Sequence, residues 1–239
     1  MAELTTSRRR VILAAGSLTA GLVGAALAGP EKHEQAAEGE VTANEDLMRE
    51  HGIIRRALFV YCAASNRARR DPLSIPLASL LDTAKLFREF AEDYHERGLE
   101  EAHIFPVVRL LKTPVAQLPD VLLAQHQRGR EITNYIHKVA AGSALAASEA
   151  ERFATTLDAF VAMYGPHAAR EDTVLFPAWK AALGEKGYDE MGEQFEDLEQ
   201  RMFGHDGFDD ALARIVKIEA AFGLSDLAAV TAPPPPPAT

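Results

Sequence analysis

Four long stretches of this chain carry apolar residues at a helical period, each cut off from the next by a few residues of breaker chemistry. They run from Asn44 to about Arg69, Leu77 to about Lys112, Leu118 to about Ala141 and Ser148 to about Leu183, with few β-branched alternations between. The breaks are Asp71-Pro72 and Ile75-Pro76, Thr113-Pro114 and Leu118-Pro119, and Gly142-Ser143. Proline removes a backbone donor and restricts the residue before it, so helices stop there. Joins this short make neighbours antiparallel, which predicts an all-α, up-down-up-down four-helix bundle over residues 44–182. A shorter pair, about Tyr188–Phe203 and Phe208–Phe222, follows Gly184 and Gly187 and makes a C-terminal helical extension over 183–230. Residues 29–43 are small, polar and charged without an apolar period, and 231–239 contain five consecutive prolines; both read as disordered or extended.

Inside the predicted bundle the sequence repeats itself. His51 recurs as His126 and His95 as His167, while Glu100-Glu101-Ala102-His103-Ile104-Phe105-Pro106 is matched by Glu171-Asp172-Thr173-Val174-Leu175-Phe176-Pro177. At about 1.5 Å per residue, His51 and His95 lie roughly 27 and 30 Å from the join between their helices, and His126 and His167 about 22 and 28 Å from theirs. Antiparallel neighbours therefore bring all four imidazoles to one end of the bundle. His167 and Glu171 are four apart and share a helix face. His95 and Glu100 are five apart, about 140° in a regular helix, so a π-type irregularity around Arg97–Leu99, next to Gly98, is expected. His33, His103, His137 and His205 have no repeat partner: His33 falls in the leader, His137 reads as a core or supporting residue, and His103 is a weaker alternative ligand.

Composition narrows the chemistry. With 25 Lys+Arg against 35 Asp+Glu and a net charge of −10, the chain has no basic face for nucleic acid. One cysteine, Cys62, excludes an internal disulfide and any thiolate cluster, and reads as a small core residue. Metal chemistry must then use nitrogen and oxygen, and four imidazoles with two carboxylates exceed one tetrahedral zinc site but suit a transition-metal pair bridged inside a bundle. Glu193, Glu196, Asp197 and Glu199 read as a solvated helix face.

The motifs Glu50-His51-Gly52-Ile53-Ile54-Arg55-Arg56, Tyr94-His95 through Glu100-Glu101 to Phe105-Pro106, Gln125-His126 with Gly129-Arg130, and His167 through Glu171-Asp172 to Phe176-Pro177 resemble the hemerythrin-like, or HHE cation-binding, domain over residues 44–182. The resemblance implies a bundle holding two non-haem iron ions, oxo- and carboxylate-bridged, with an exchangeable position for O2 or a related small ligand. It puts His51, His95, Glu100, His126, His167 and Glu171 in the ligand positions, with Glu101 and Asp172 as the alternatives to the two glutamates. Oxygen-carrying hemerythrins place a further histidine one turn after His126, where this chain has Arg130, so reversible O2 carriage does not transfer directly. Three functions follow from the resemblance: binding, storage or sensing of O2 or a related ligand; a di-iron redox enzyme acting on peroxide, O2 or nitric oxide with an external reductant; and divalent-metal storage without dioxygen chemistry. Binding ranks first, because no nucleophile constellation or substrate-sized feature is evident. Tyr94 and Tyr164 flank the histidines and read as packing or hydrogen-bonding residues.

The N-terminus has its own pattern. Ser7-Arg8-Arg9-Arg10-Val11-Ile12-Leu13 precedes a Gly- and Ala-rich apolar stretch ending Ala26-Leu27-Ala28, which resembles a twin-arginine export signal with Val11 and Leu13 in place of the usual Phe and Lys. Residues 1–28 are expected to engage the twin-arginine machinery and to be removed, leaving a periplasmic protein with no stable membrane insertion. Uncleaved, the stretch would act as an anchor.

Overall fold

The computed structural model describes residues 41–235, and every regular element among them is helical. The export signal and nearly all of the leader lie outside the described residues. Helix α1 spans Ala43–Arg70, with Glu45 and Asp46 in its first turn and Arg67, Arg69 and Arg70 in its last, charges that oppose the helix dipole at both ends. It stops at Asp71, whose side chain accepts from the Leu73 amide to open a 3₁₀ turn at Pro72–Ser74. Helix α2, Leu77–Leu86, continues without a break into a π-helical stretch, Phe87–Ile104, and then into the short α3, Phe105–Arg109. After a second 3₁₀ turn at Pro114–Gln117 come α4, Leu118–Ala140, and α5, Ala147–Arg170. A π-helical turn, Glu171–Leu175, leads into α6, Phe176–Phe203, and α7 closes the fold at Gly207–Ala221.

The irregularity expected near Gly98 is present but larger, and the same distortion recurs in the second half, where the sequence did not predict it. Its source is the repeated Phe-Pro pair. Pro106 and Pro177 have no amide to give to the carbonyl four residues back, and their rings crowd that carbonyl. The helix widens just before each, so that the Phe105 amide bonds the Glu100 carbonyl and the Phe176 amide bonds the Glu171 carbonyl, five residues back in both cases. In a π-helix residues five apart stack on one face, which is what His95 and Glu100 require.

Helix α1 packs chiefly on α5 and α2 on α4, with α1 and α4 also meeting the π-helical stretch. Beneath the histidines the core is aromatic: Phe87 lies 6.0 Å from Tyr61, 5.2 Å from Phe160 and 5.3 Å from Tyr164, ring centroid to centroid. Each fully buried ring of this kind stabilises the fold by roughly 1.5–3 kcal/mol through area alone.

The C-terminal extension joins the fourth stretch at a kink at Gly184, where the sequence places a break. Helix α6 is two helical runs, up to Leu183 and on to Phe203, that meet at Gly184, whose φ is 69°. That conformation costs other L-residues and is free to glycine. Trp179 stacks on Phe195 at 5.7 Å, and Phe203 packs edge-on to Tyr94 at 5.3 Å. Helix α7 lies against α1 and α2. There Arg56 Nε bonds Glu219 at 2.8 Å, and Arg214 reaches Asp82 at 2.9 Å and Glu89 at 2.6 Å. Glu199 is a correction to the solvated face: it is buried, and its carboxylate accepts from the Gly207 and Phe208 amides at 2.9 and 3.1 Å, capping α7. Among the described residues no helix is long and apolar enough to cross a membrane.

Candidate metal centre

All six residues singled out by the repeat converge at one level, and all are buried. His51 comes from α1, His95 and Glu100 from the π-helical stretch, His126 from α4, His167 from α5 and Glu171 from the π-turn that follows it. They form two imidazole pairs. His51 Nε2 lies 3.0 Å from His95 Nε2, and His126 Nε2 lies 3.1 Å from His167 Nε2. Two nitrogens each about 2.0–2.1 Å from one metal ion and at right angles are about 2.9–3.0 Å apart, so each pair has the spacing of adjacent ligands.

The two carboxylates lie between the pairs. Glu100 Oε1 is 3.6 Å from His95 Nε2 and its Oε2 is 3.3 Å from His126 Nε2. Glu171 Oε1 is 2.9 Å from His167 Nε2 and its Oε2 is 3.5 Å from His51 Nε2. Each glutamate therefore sends one oxygen to each half of the site. All four of these buried oxygens lack a hydrogen-bond donor. A buried carboxylate without a donor is costly, and an ion held between the pairs would satisfy all four oxygens at once.

The outer nitrogens of the imidazoles are all engaged. His51 Nδ1 donates to Asp172 Oδ1 at 2.6 Å, His95 Nδ1 to Glu50 Oε2 at 2.6 Å, His126 Nδ1 to Glu101 Oε1 at 2.9 Å and His167 Nδ1 to Gln125 Oε1 at 2.8 Å. Because carboxylate and amide oxygens only accept, the proton sits on Nδ1 and leaves Nε2 free to ligate, the usual support for a metal-bound histidine. The sequence left Glu101 and Asp172 open as bridging ligands; here both orient a histidine from outside. Arg130 donates to Glu101, and Arg55, one turn after His51 as Arg130 is after His126, donates to Asp172. The position of the missing fifth imidazole is thus used to anchor the acid that orients His126.

Electrostatics points the same way. Burial opposes charge on His95, but Glu100 and Glu50 hold its pKa well above the ordinary range. Burial likewise opposes charge on His126, yet Glu96, Glu100 and Glu101 push it up to about 10. Glu171 is held well below its usual value by His167 and His51 in spite of its burial. The pocket is built to surround positive charge, which protons supply in part and metal cations supply fully.

A match to the hemerythrin HHE cation-binding domain covers residues 42–179. The chain belongs to the hemerythrin HHE family. Two relatives, uncharacterized proteins of Mycobacterium tuberculosis and Mycobacterium bovis, are each 39% identical over 197 residues, covering 81% of this chain and 75% of their own. No solved structure matches. As an HHE-domain protein the chain is metal-binding, and its buried histidine and glutamate groups could hold the metal.

Several residues of this HHE domain fall away from the site or join it unannounced. His103 is half-buried beside Phe195, 5.8 Å between centroids, and is not a ligand alternative. His137 is exposed at the far end of α4, which corrects its reading as a core or supporting residue. Cys62 is only partly buried. Tyr94 is a packing residue, whereas Tyr164 reaches the site and donates to Glu96, whose other oxygen takes a 3.0 Å bond from Arg130. No role was assigned to Glu50, Gln125 or Glu96 from the sequence. The available signal was that Glu50 and Gln125 both directly precede the first histidine of their half.

Proposed function

We propose that the chain is an exported, periplasmic di-iron protein that binds O2 or a related small ligand. It would use an up-down-up-down four-helix bundle in which His51, His95, His126 and His167 ligate while Glu100 and Glu171 bridge. The observation that carries this reading is the pair of buried glutamates, each with one oxygen toward each imidazole pair and no donor on either. When bound, two irons would supply a redox-active centre to which a small oxygen or nitrogen ligand can coordinate. The protein's own part is to fix the imidazoles through their Nδ1 partners and to leave limited space beside them. A cavity of about 10 Å3, lined by Ile54, Ala168, Tyr164 and Glu96 besides the ligand residues, has room for about one water-sized group. That size excludes an organic substrate. Export through the twin-arginine machinery rests on Arg8, Arg9 and Arg10 and the apolar stretch after them.

A di-iron redox enzyme is the second reading, favoured by a tyrosine hydroxyl and a buried carboxylate at the cavity wall. The test is iron content per chain with optical spectra taken before and after admitting air to the mature, reduced protein. About two irons with an oxygen-dependent charge-transfer band support the proposal. A single tightly held zinc, or iron with no spectral response to O2, peroxide or nitric oxide, overturns it and leaves metal storage.

A further inference from the structure

The cavity has two unlike walls. Ile54 and Ala168 offer it only hydrocarbon, while Tyr164 and Glu96 offer oxygen, and all four side chains are buried. The polar wall is a built feature. Tyr164 Oη occupies the space where a side chain at residue 129 would begin: a Cβ on Gly129 would lie 2.6 Å from it. Glycine is what lets the hydroxyl come so close to α4, and Arg130, the next residue, fixes the Glu96 carboxylate that accepts its hydrogen bond.

This arrangement decides which hydrogen-bonding role remains for a ligand. The single donor of Tyr164 is spent on Glu96. What is left on Tyr164 is the lone-pair side of its oxygen, and on Glu96 only further acceptor capacity. The four histidine Nδ1 donors are committed outward and their Nε2 atoms are the ones that would ligate the metal, so in the loaded site the side chains lining the cavity hold no spare donor.

We infer that Tyr164 and Glu96 are specificity-determining residues that tune the cavity for a small ligand able to donate a hydrogen bond, hydrogen peroxide, over dioxygen and nitric oxide, which can only accept. The inference rests on the proposed di-iron site and names its ligand class. An acceptor wall stabilises an O–H pointed at it and gives nothing to a ligand without one; one neutral hydrogen bond corresponds to roughly five- to tenfold in affinity.

The test uses the iron-loaded, mature protein and its Tyr164→Phe and Glu96→Gln variants, with iron per chain and thermal unfolding measured first to establish intact sites. The two probes are hydrogen peroxide, followed by the concentration dependence of its fast initial spectral change, and nitric oxide, followed by equilibrium titration of the reduced form. Tyr164→Phe should weaken peroxide capture roughly five- to tenfold while leaving nitric oxide affinity unchanged or slightly tighter. Glu96→Gln, which places an amide donor at the wall, should tighten nitric oxide. Equal shifts for both probes in Tyr164→Phe, or none for either, overturn the inference while the di-iron reading stands. Iron-loaded wild type that responds to neither probe overturns both.

Discussion

Glu92 is a buried carboxyl group whose ionisation should cost this fold stability. It lies on the π-helical stretch one turn before Glu96, is fully shielded from solvent, and has its closest cation, Arg88 Nη1, at 2.9 Å. Burial, with the like charge of Glu96 added, raises its pKa from 4.5 to about 7 against the pull of Thr133, Arg88 and Arg130. Because the folded value lies above the unfolded one, the sign is fixed. Below about 4.5 both states hold the proton and Glu92 contributes nothing. Between 4.5 and about 7 the unfolded chain releases a proton that the folded chain keeps, so stability falls as pH rises, and above about 7 the full cost is present. A displacement of that size corresponds to on the order of 3 kcal/mol. Glu92→Gln should therefore match the wild type near pH 4 and exceed it by up to about 3 kcal/mol at pH 8, less whatever Arg88 loses with its partner. Urea unfolding of both metal-free proteins from pH 4 to 8.5 measures the difference, in which titration of the site histidines cancels. A difference that stays flat with pH, or a variant that is less stable than the wild type at pH 8, refutes the reasoning.

Three further outcomes follow from the site. His167→Ala should remove most of the bound metal, whereas His103→Ala, at a side chain packed on Phe195, should retain it; metal analysis that finds equal content in both variants removes the ligand assignment. Asp172→Asn keeps the shape but weakens the acceptor that orients His51, and competition with a chelator should show metal affinity lowered about 10–100-fold. Gly129→Ala drives a methyl into the Tyr164 hydroxyl and should cost about 1–3 kcal/mol in denaturant unfolding, with a changed Tyr164 environment; an unchanged stability would mean that the close approach is not held in solution.

Helix ends were legible because the sequence marks them with proline and glycine. The stretches drawn from Asn44, Leu118 and Ser148 begin within one residue of α1, α4 and α5. The fourth boundary, drawn at Leu183, was legible for the same reason: Gly184 takes a positive φ, and the helical backbone kinks there before running on to Phe203. The six converging site residues were legible because a repeat, combined with antiparallel helices of known rise, fixes a common level. Which neighbour of each glutamate faces inward was not, since Glu100 and Glu101 differ by one step of helical rotation, and that rotation depends on a widening whose cause, Pro106, lies several residues downstream.

The repeat also shows which features belong to this chain in particular. Where the halves agree, each contributes an imidazole pair, a glutamate and an arginine-held acid. Several of the positions where they disagree lie around the cavity. Three residues after the first histidine stand Ile54 and Gly129; three before the second stand Glu92 and Tyr164; directly after the second stand Glu96 and Ala168. Four of those six, Ile54, Tyr164, Glu96 and Ala168, line the cavity and a fifth is the glycine that admits Tyr164; of the four, only Ile54 and Ala168 keep the wall apolar. A symmetric frame suffices to hold two cations, whereas a directional contact with one small ligand requires the symmetry to be broken on one side. The Gly129, Tyr164 and Glu96 substitutions break it there, and they do so together, since the hydroxyl needs both the missing Cβ and the carboxylate to occupy its place.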